Sequence, residues 1–241
     1  MDFKTEVVPA LLGANLSVFS HTFGTKKVNI TTLQRRKKIL KSSEEVTEYA
    51  NYHLLTGDGN STDIDLDCKE SEKLAEYFLP PTGLKYGRKS KDLPSHYLYK
   101  VLDLNKKHTR KFFKFKDPDA DKEMLVELRS NDHYSMCGGK YEDDDHVKWF
   151  EASSLGETTY DALYKQCALL SLASIMLRLY PNEGMRNDFI WKLTGALWHH
   201  KVEEADAVKL VESVAKVAED DVKERLAKVR NVYKTAKNSE V

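Results

Sequence analysis

Residues 61–69, STDIDLDCK, constrain this chain more than any other stretch. Asp63, Asp65 and Asp67 alternate with Ile64 and Leu66. Successive side chains of a strand point to opposite faces, so the pattern predicts a strand with three carboxylates on one face and the apolar pair in the core. Carboxylates about 7 Å apart, twice the strand rise of about 3.3 Å, repel one another unless a cation or basic group lies between them. A solvated edge strand with its acids facing water satisfies the pattern. So does a divalent-metal centre of the kind nucleotidyl transfer needs, where two ions about 3.5 to 4 Å apart are held by carboxylates and clamp the reacting phosphate.

The 241 residues suffice for one large domain or a medium one with a small companion, and 41% hydrophobic residues can build a core. No apolar run approaches the roughly 20 residues of a membrane span. Residues 1–20 place acids before a short apolar part and lack the basic start of a secretory signal, so a cytoplasmic protein without a membrane segment is the expectation, host cytoplasm if a phage or plasmid encodes it. Cys68, Cys137 and Cys167 form no CxxC pair, which argues against a disulfide framework or a zinc ribbon.

A net charge of zero speaks against a generally basic nucleic-acid coat, but the distribution is uneven. Residues 85–116 hold eleven Lys or Arg against two acids, and acids gather on either side, in 58–76 and 117–145. Such segregation suits an acidic centre beside a phosphate-holding basic surface.

Along the chain, a strand is expected at 16–19, and a helix begins at Ser43, capped by Ser42 or Ser43 with Glu44 and Glu45 at its positive end. RRKK at 35–38 reads as a solvated helix face or as a contact to a nucleic-acid backbone. After the acidic strand, a helix over 70–78 ends at Pro80 and Pro81. Gly83 and Gly87 then allow close backbone approach in a loop whose donors are Arg88, Lys89, Ser90 and Lys91. That loop leads into a strand at 95–101, with His96 on one face beside Leu98 and Lys100.

Residues 106–116 interleave basic side chains with Phe112, Phe113 and Phe115. They form either a core strand with a cationic outer face or a groove that tracks phosphates and stacks bases. In 124–129 the alternation sets Leu125, Glu127 and Arg129 on one face, where a half-buried carboxylate needs a partner or a metal. Residues 134–139 read as a further strand, and 142–145 as an exposed acidic hairpin tip. Helical periodicity follows over 158–180, 184–200, 202–218 and 220–237, which predicts a four-helix unit with short loops. The second of these carries Trp191, Leu193, Ala196 and Leu197 as its apolar residues, and the adjacent His199 and His200 read as structural or solvent-facing.

Three features in this order resemble the archaeo-eukaryotic primase superfamily, in particular its primase-polymerase branch from plasmid and phage replication proteins: DLD at 65–67, the basic loop before SHYLY at 95–99, and VELRS at 126–130. They stand where that family has its hhDhD, sxH and hD or hE strands. A CALLSLAS helix, GMRND and a helix containing LTGAL are similar to the helical bundle that follows the catalytic core there. The resemblance implies an α/β fold, with an RRM-like primase core over 1–152 and an all-α bundle over 158–241.

It implies Asp65, Asp67 and Glu127 as ligands of two Mg²⁺ or Mn²⁺ ions, with His96 on the triphosphate. Arg88, Lys91, Ser95 and Arg129 would join His96 around the nucleotide, and Lys107, Arg110, Lys111 and Lys114 would follow the template. The implied activity is that of a DNA primase and DNA-dependent DNA polymerase acting on single-stranded DNA with NTP and dNTP substrates, alongside a helicase domain or partner. Two departures stand out: SMCGG replaces a proline-containing segment after the third motif, and Asp63 adds a third acid, so which pair binds metal stays open, with Asp65 and Asp67 preferred. A metal-dependent nuclease and a non-catalytic single-stranded-DNA-binding initiator module are the competing readings of the same residues.

Overall fold

The computed structural model describes residues 1–22, 31–105, 113–119, 124–131 and 133–239. The chain is mixed α/β, with antiparallel sheets and, among the described residues, seven α-helices of which four close the sequence. A π-helical turn over Phe3–Val7 runs into α1 (Val8–Gly13), followed by β1 (Ser17–Thr22) and the short α2 (Thr32–Arg36). Next come β2 (Ala50–Leu55), β3 (Ser61–Leu66), α3 (Lys69–Phe78), β4 (Leu84–Arg88) and β5 (His96–Val101). The sheets are completed by β6 (Phe113–Lys116), β7 (Met124–Arg129), β8 (Tyr134–Gly138), β9 (Val147–Ala152) and β10 (Gly156–Thr158). The last helices are α4 (Tyr160–Arg178), α5 (Arg186–His199), α6 (Glu204–Val217) and α7 (Val222–Ser239).

The large sheet runs β6-β7-β3-β5-β4-β9, with β10 added in parallel to β5, and the acidic strand β3 lies in its interior. A smaller sheet, β1-β2-β8, shares an apolar core with it through Val18, Leu54 and Cys137 on one side and Leu84, Tyr86, Leu98 and Trp149 on the other. β3 is buried along its whole length, so the solvated-edge alternative does not hold. Ile64 and Leu66 are inside as the alternation requires, but Asp63 on the opposite face is fully buried too.

Contacts divide the chain into two compact units, residues 1–67 with 80–165 and residues 68–79 with 166–241. In the second unit α7 packs on α5 and α6, and α6 also meets α3. Its interior is Leu210, Val211, Val214, Val229 and Tyr233. No described helix is long and apolar enough to cross a membrane.

Several local expectations are corrected. The helix expected from Ser43 is a single 3-10 turn, Ser43–Glu45, because Ser42 makes no side-chain cap and residues 50–55 are taken by pairing with β1 and β8. The region before the first strand holds a helix, not only coil, and that strand is Ser17–Thr22. The first part of the expected glycine-basic loop is strand β4, while Lys89, Ser90 and Lys91 lie in the turn after it. Gly87 serves strand packing there, since a Cβ on it would sit 3.0 Å from the Ser95 nitrogen. On α5 the buried face is Ile190, Thr194 and Leu197, while Trp191 is 58% exposed.

One polar knot ties the helical unit together. Asp220, just before α7, accepts from Tyr180 Oη at 2.6 Å, Arg186 Nη1 at 3.0 Å and Arg225 Nε at 2.6 Å, and Arg225 also donates to Asn187. The Arg225 bond, against the cost of burial and with help from Tyr180, holds the Asp220 carboxyl well below the usual carboxylate range. A depressed carboxyl contributes stability above its unfolded pKa of about 3.9 and loses it as pH falls through the folded value. Asp220→Asn is therefore expected to cost on the order of 2 to 3 kcal/mol at pH 7, or about 5 to 10 °C in Tm. Thermal melts should give a constant gap from wild type between about pH 8 and 5 that narrows below about pH 4.

Candidate metal centre

Antiparallel register sets one row of residues straight across the large sheet. Trp149 stands opposite Tyr86, Tyr86 opposite His96, His96 opposite Asp65, and Asp65 opposite Glu127. Residues directly opposite in such ladders have Cβ atoms about 4.5 to 5.5 Å apart, so side chains on the same face meet. Asp67 lies one residue past β3, its N–H 3.4 Å from the carbonyl of Leu125 on β7. Asp65, Asp67 and Glu127 each offer a carboxylate oxygen, and these lie within 4.8 Å of one another. Asp65 and Glu127 are 4% and 5% exposed, whereas Asp67 is open to solvent.

Three acids so close are costly alone. At 4.8 Å and an effective dielectric constant near 20, each pair repels by about 3 to 4 kcal/mol. Arg129 answers part of that charge from the same face of β7. Its Nη2 donates to Glu127 Oε2 at 2.6 Å and pairs with Asp65 Oδ2, its Nε donates to Glu127 Oε2 at 2.8 Å, and its Nη1 reaches Ser135 Oγ at 3.3 Å. Burial disfavours the guanidinium, but Asp65 and Glu127 outweigh it and the pKa of Arg129 is raised.

His96 also meets Asp65, with Nε2 3.4 Å from Asp65 Oδ1. Its burial also opposes charge, and Asp65 and then Asp63 overcome that penalty, raising its pKa above the ordinary histidine value. Asp67 is shifted toward its neutral form. Protein crowding on one side of its carboxyl, together with Asp65, pushes its pKa up to about 6 despite the exposed edge.

The other expected residues are spread around this row. Ser95 is buried and its main chain joins three strands, the N–H donating to the Tyr86 carbonyl at 3.0 Å and the carbonyl accepting from Leu66 at 2.8 Å. Arg88 pairs with Asp143 Oδ2 at 2.5 Å on the β8–β9 hairpin and covers the Tyr141 ring at 4.1 Å. Tyr141 links that corner to the acids. Its phenol pKa is raised first by burial, with Arg88 opposing and Asp65 adding.

Lys91 closes a turn on the Arg88 carbonyl at 3.1 Å. Arg129, expected on the nucleotide, sits on Asp65 and Glu127. Lys114 stands opposite Glu127 in register, and Lys107, Arg110 and Lys111 lie outside the described residues. The 142–145 run is a hairpin tip, as expected, closed by the Tyr141 N–H on the Asp145 carbonyl at 2.7 Å.

Sequence reasoning passed over Tyr86 and Tyr141 and did not pair Arg129 with the acids. The spacing of Arg129 from Glu127, two residues on a strand, was the available signal. Asp63 does not join the three-carboxylate group and instead contacts His96 and Tyr86.

Three hard oxygen donors, with Asp67 open to solvent, could hold a metal ion of the kind that takes oxygen ligands. No protein-family model matches the chain, and no curated protein does.

Mn²⁺ titrations followed by electron paramagnetic resonance should show affinity roughly tenfold weaker at pH 5 than at pH 8, because protonating Asp67 through about 6 competes with the ion. Asp67→Asn should abolish most binding. A raised carboxyl favours the fold below its unfolded pKa and loses that contribution as pH rises through the folded value. In metal-free protein the same substitution should thus raise Tm at pH 8, by an amount equivalent to about 1 kcal/mol after solvent screening, and leave it unchanged near pH 4.

Proposed function

We propose that this protein is a nucleotidyltransferase of the primase-polymerase kind, a DNA primase and DNA-dependent DNA polymerase that copies single-stranded DNA. The observation that carries the reading is the convergence of Asp65, Asp67 and Glu127 within 4.8 Å, from sequence positions about 60 apart, beside a buried histidine. Those carboxylates belong to the motifs whose order first suggested the primase superfamily.

Asp65, Asp67 and Glu127 would hold the divalent ions. Bound there, two Mg²⁺ or Mn²⁺ ions would supply Lewis acidity, making the attacking 3′-hydroxyl more acidic and offsetting charge on the α-phosphate and the pyrophosphate leaving group. His96, its pKa raised by Asp65 and Asp63, would meet the triphosphate and keep it in line with the attacking oxygen. Arg129 would be shared between the acids and the incoming phosphates, and Arg88, Lys91 and Ser95 would border the nucleotide. Lys107, Arg110, Lys111 and Lys114 would track the template backbone, and the helical unit would help hold template and initiating nucleotide, with a helicase domain or partner opening duplex ahead.

The test is to incubate the protein with labelled single-stranded DNA, NTPs and dNTPs and Mg²⁺ or Mn²⁺, with and without a primer. Extended or newly made strands support the reading. Shortened strands indicate a nuclease, and binding without either product indicates an initiator module. Asp67→Ala should lower synthesis at least a thousandfold, about 4 kcal/mol of transition-state stabilisation. If four phosphates of the template are neutralised, log K for single-stranded DNA should fall with log salt at a slope of about −3, and a flat response would remove the basic stretch from the template path.

A further inference from the structure

Asp63 carries the same side chain as two of the candidate metal ligands, one on the same strand and one just past its end, yet does not join them. Its carboxylate is 0% exposed, with Oδ2 3.0 Å from Nδ1 of His96 and 3.4 Å from the hydroxyl of Tyr86. Its other oxygen, Oδ1, is buried without a hydrogen-bond partner among the described residues. A buried carboxylate left half-satisfied is a poor choice for stability, and an apolar side chain of similar size would serve the core as well or better. Its place there therefore asks for a reason outside packing.

We propose that Asp63 is a positioning residue for His96. It holds the proton on Nδ1 and turns Nε2 toward the acidic centre, while Tyr86 fixes the plane of the ring. The Tyr86 and His96 rings stack with centroids 4.4 Å apart and planes 1° from parallel, so rotation about the Cβ–Cγ bond is blocked and one edge remains to be assigned. At 3.0 Å the Asp63 oxygen is the nearer acceptor to the ring, which assigns the N–H to Nδ1. Asp65 competes for the proton from the other edge, but at the longer 3.4 Å and with its Oδ2 already engaged by Arg129. The nearer, fully desolvated partner wins that contest.

Nε2 is then the ring atom left to face a ligand, and when the ring is an imidazolium its N–H can be given to a phosphate oxygen. This last step rests on the function proposed above; the choice of ring nitrogen does not. The arrangement parallels the outer-sphere carboxylates that orient histidines in metal and acyl-transfer sites.

The experiment uses the full chain, free of metal and nucleotide. Long-range ¹H–¹⁵N spectra of ring-labelled histidine, with His96 assigned by the signals lost in His96→Gln, report which nitrogen keeps the proton once the ring is neutral. The expected result is Nδ1–H in wild type, against the Nε2–H form that free histidine prefers, and reversion to Nε2–H in Asp63→Asn. Wild-type protein with the proton on Nε2 overturns the proposal, and so does an unchanged spectrum in a folded Asp63→Asn. The wild-type spectrum decides even if that variant does not fold.

A double-mutant cycle supplies the second readout, with dATP binding measured in Ca²⁺ to prevent turnover. Asp63→Asn should weaken binding about tenfold in the wild-type background and not at all on top of His96→Gln, whereas a purely structural carboxylate would weaken both equally and sink the proposal. An Nδ1–H ring that switches as expected in a protein that binds no dATP would uphold the positioning and overturn the nucleotide reading alone.

Discussion

Pairing of β3 between β5 and β7 is the constraint on which the site depends. A strand has a side-chain period of two, so slipping β3 by one residue would turn Asp63 and Asp65 away and present Ile64 and Leu66 to Glu127 and His96. That slip would move two buried apolar side chains out of place and leave Arg129 facing hydrocarbon. The register is thus held from both faces at once, by apolar burial on one and by ion pairing on the other. The geometry of the acidic row follows from main-chain hydrogen bonding and not from loop conformation, which suits chemistry that tolerates little displacement.

Within that frame, three aspartates two residues apart occupy three environments. Asp63 is sealed in and tied to an imidazole, Asp65 sits at the crossing point of Arg129 and His96, and Asp67 stands at the solvent edge with a carboxyl that binds its proton unusually tightly. The gradient from dry to wet along one strand separates roles that the amino-acid types alone cannot. It also explains how the protein accommodates so much negative charge, since Arg129, and His96 when it is protonated, lie where the acids are most buried and the outermost acid is left to solvent and proton.

Alternation made much of this legible. The DIDLD pattern correctly put the acids on one face, and MLVELR put Glu127 on a half-buried strand, because period-two side-chain direction is a local property of the chain. The four closing helices were likewise readable from local periodicity and their proline and glycine stops. What escaped was non-local. The stretch after Ser43 carries good capping residues, yet partners far away in sequence, on β1 and β8, recruit residues 50–55 as a strand. Gly83 and Gly87 read as points of close backbone approach, and what approaches them, Ser153 and Ser95, comes from elsewhere in the chain. Trp191 looked like a core residue on hydropathy, although the helix turns Ile190, Thr194 and Leu197 inward. The membership of α3 with the C-terminal helices, and the partners of Asp63 and Arg129, depend on which surfaces meet after folding.

The cysteines, unremarked by the chemistry, give each half of the chain its own clock. Cys137 lies in the core shared by the two sheets and Cys167 inside α4, and burial raises both thiols far above the range in which a thiolate is available. An alkylating reagent can modify either one only after its surroundings open. Since one belongs to each compact unit, their modification rates measure two separate breathing motions in a single sample, with the half-buried Cys68 as the internal reference.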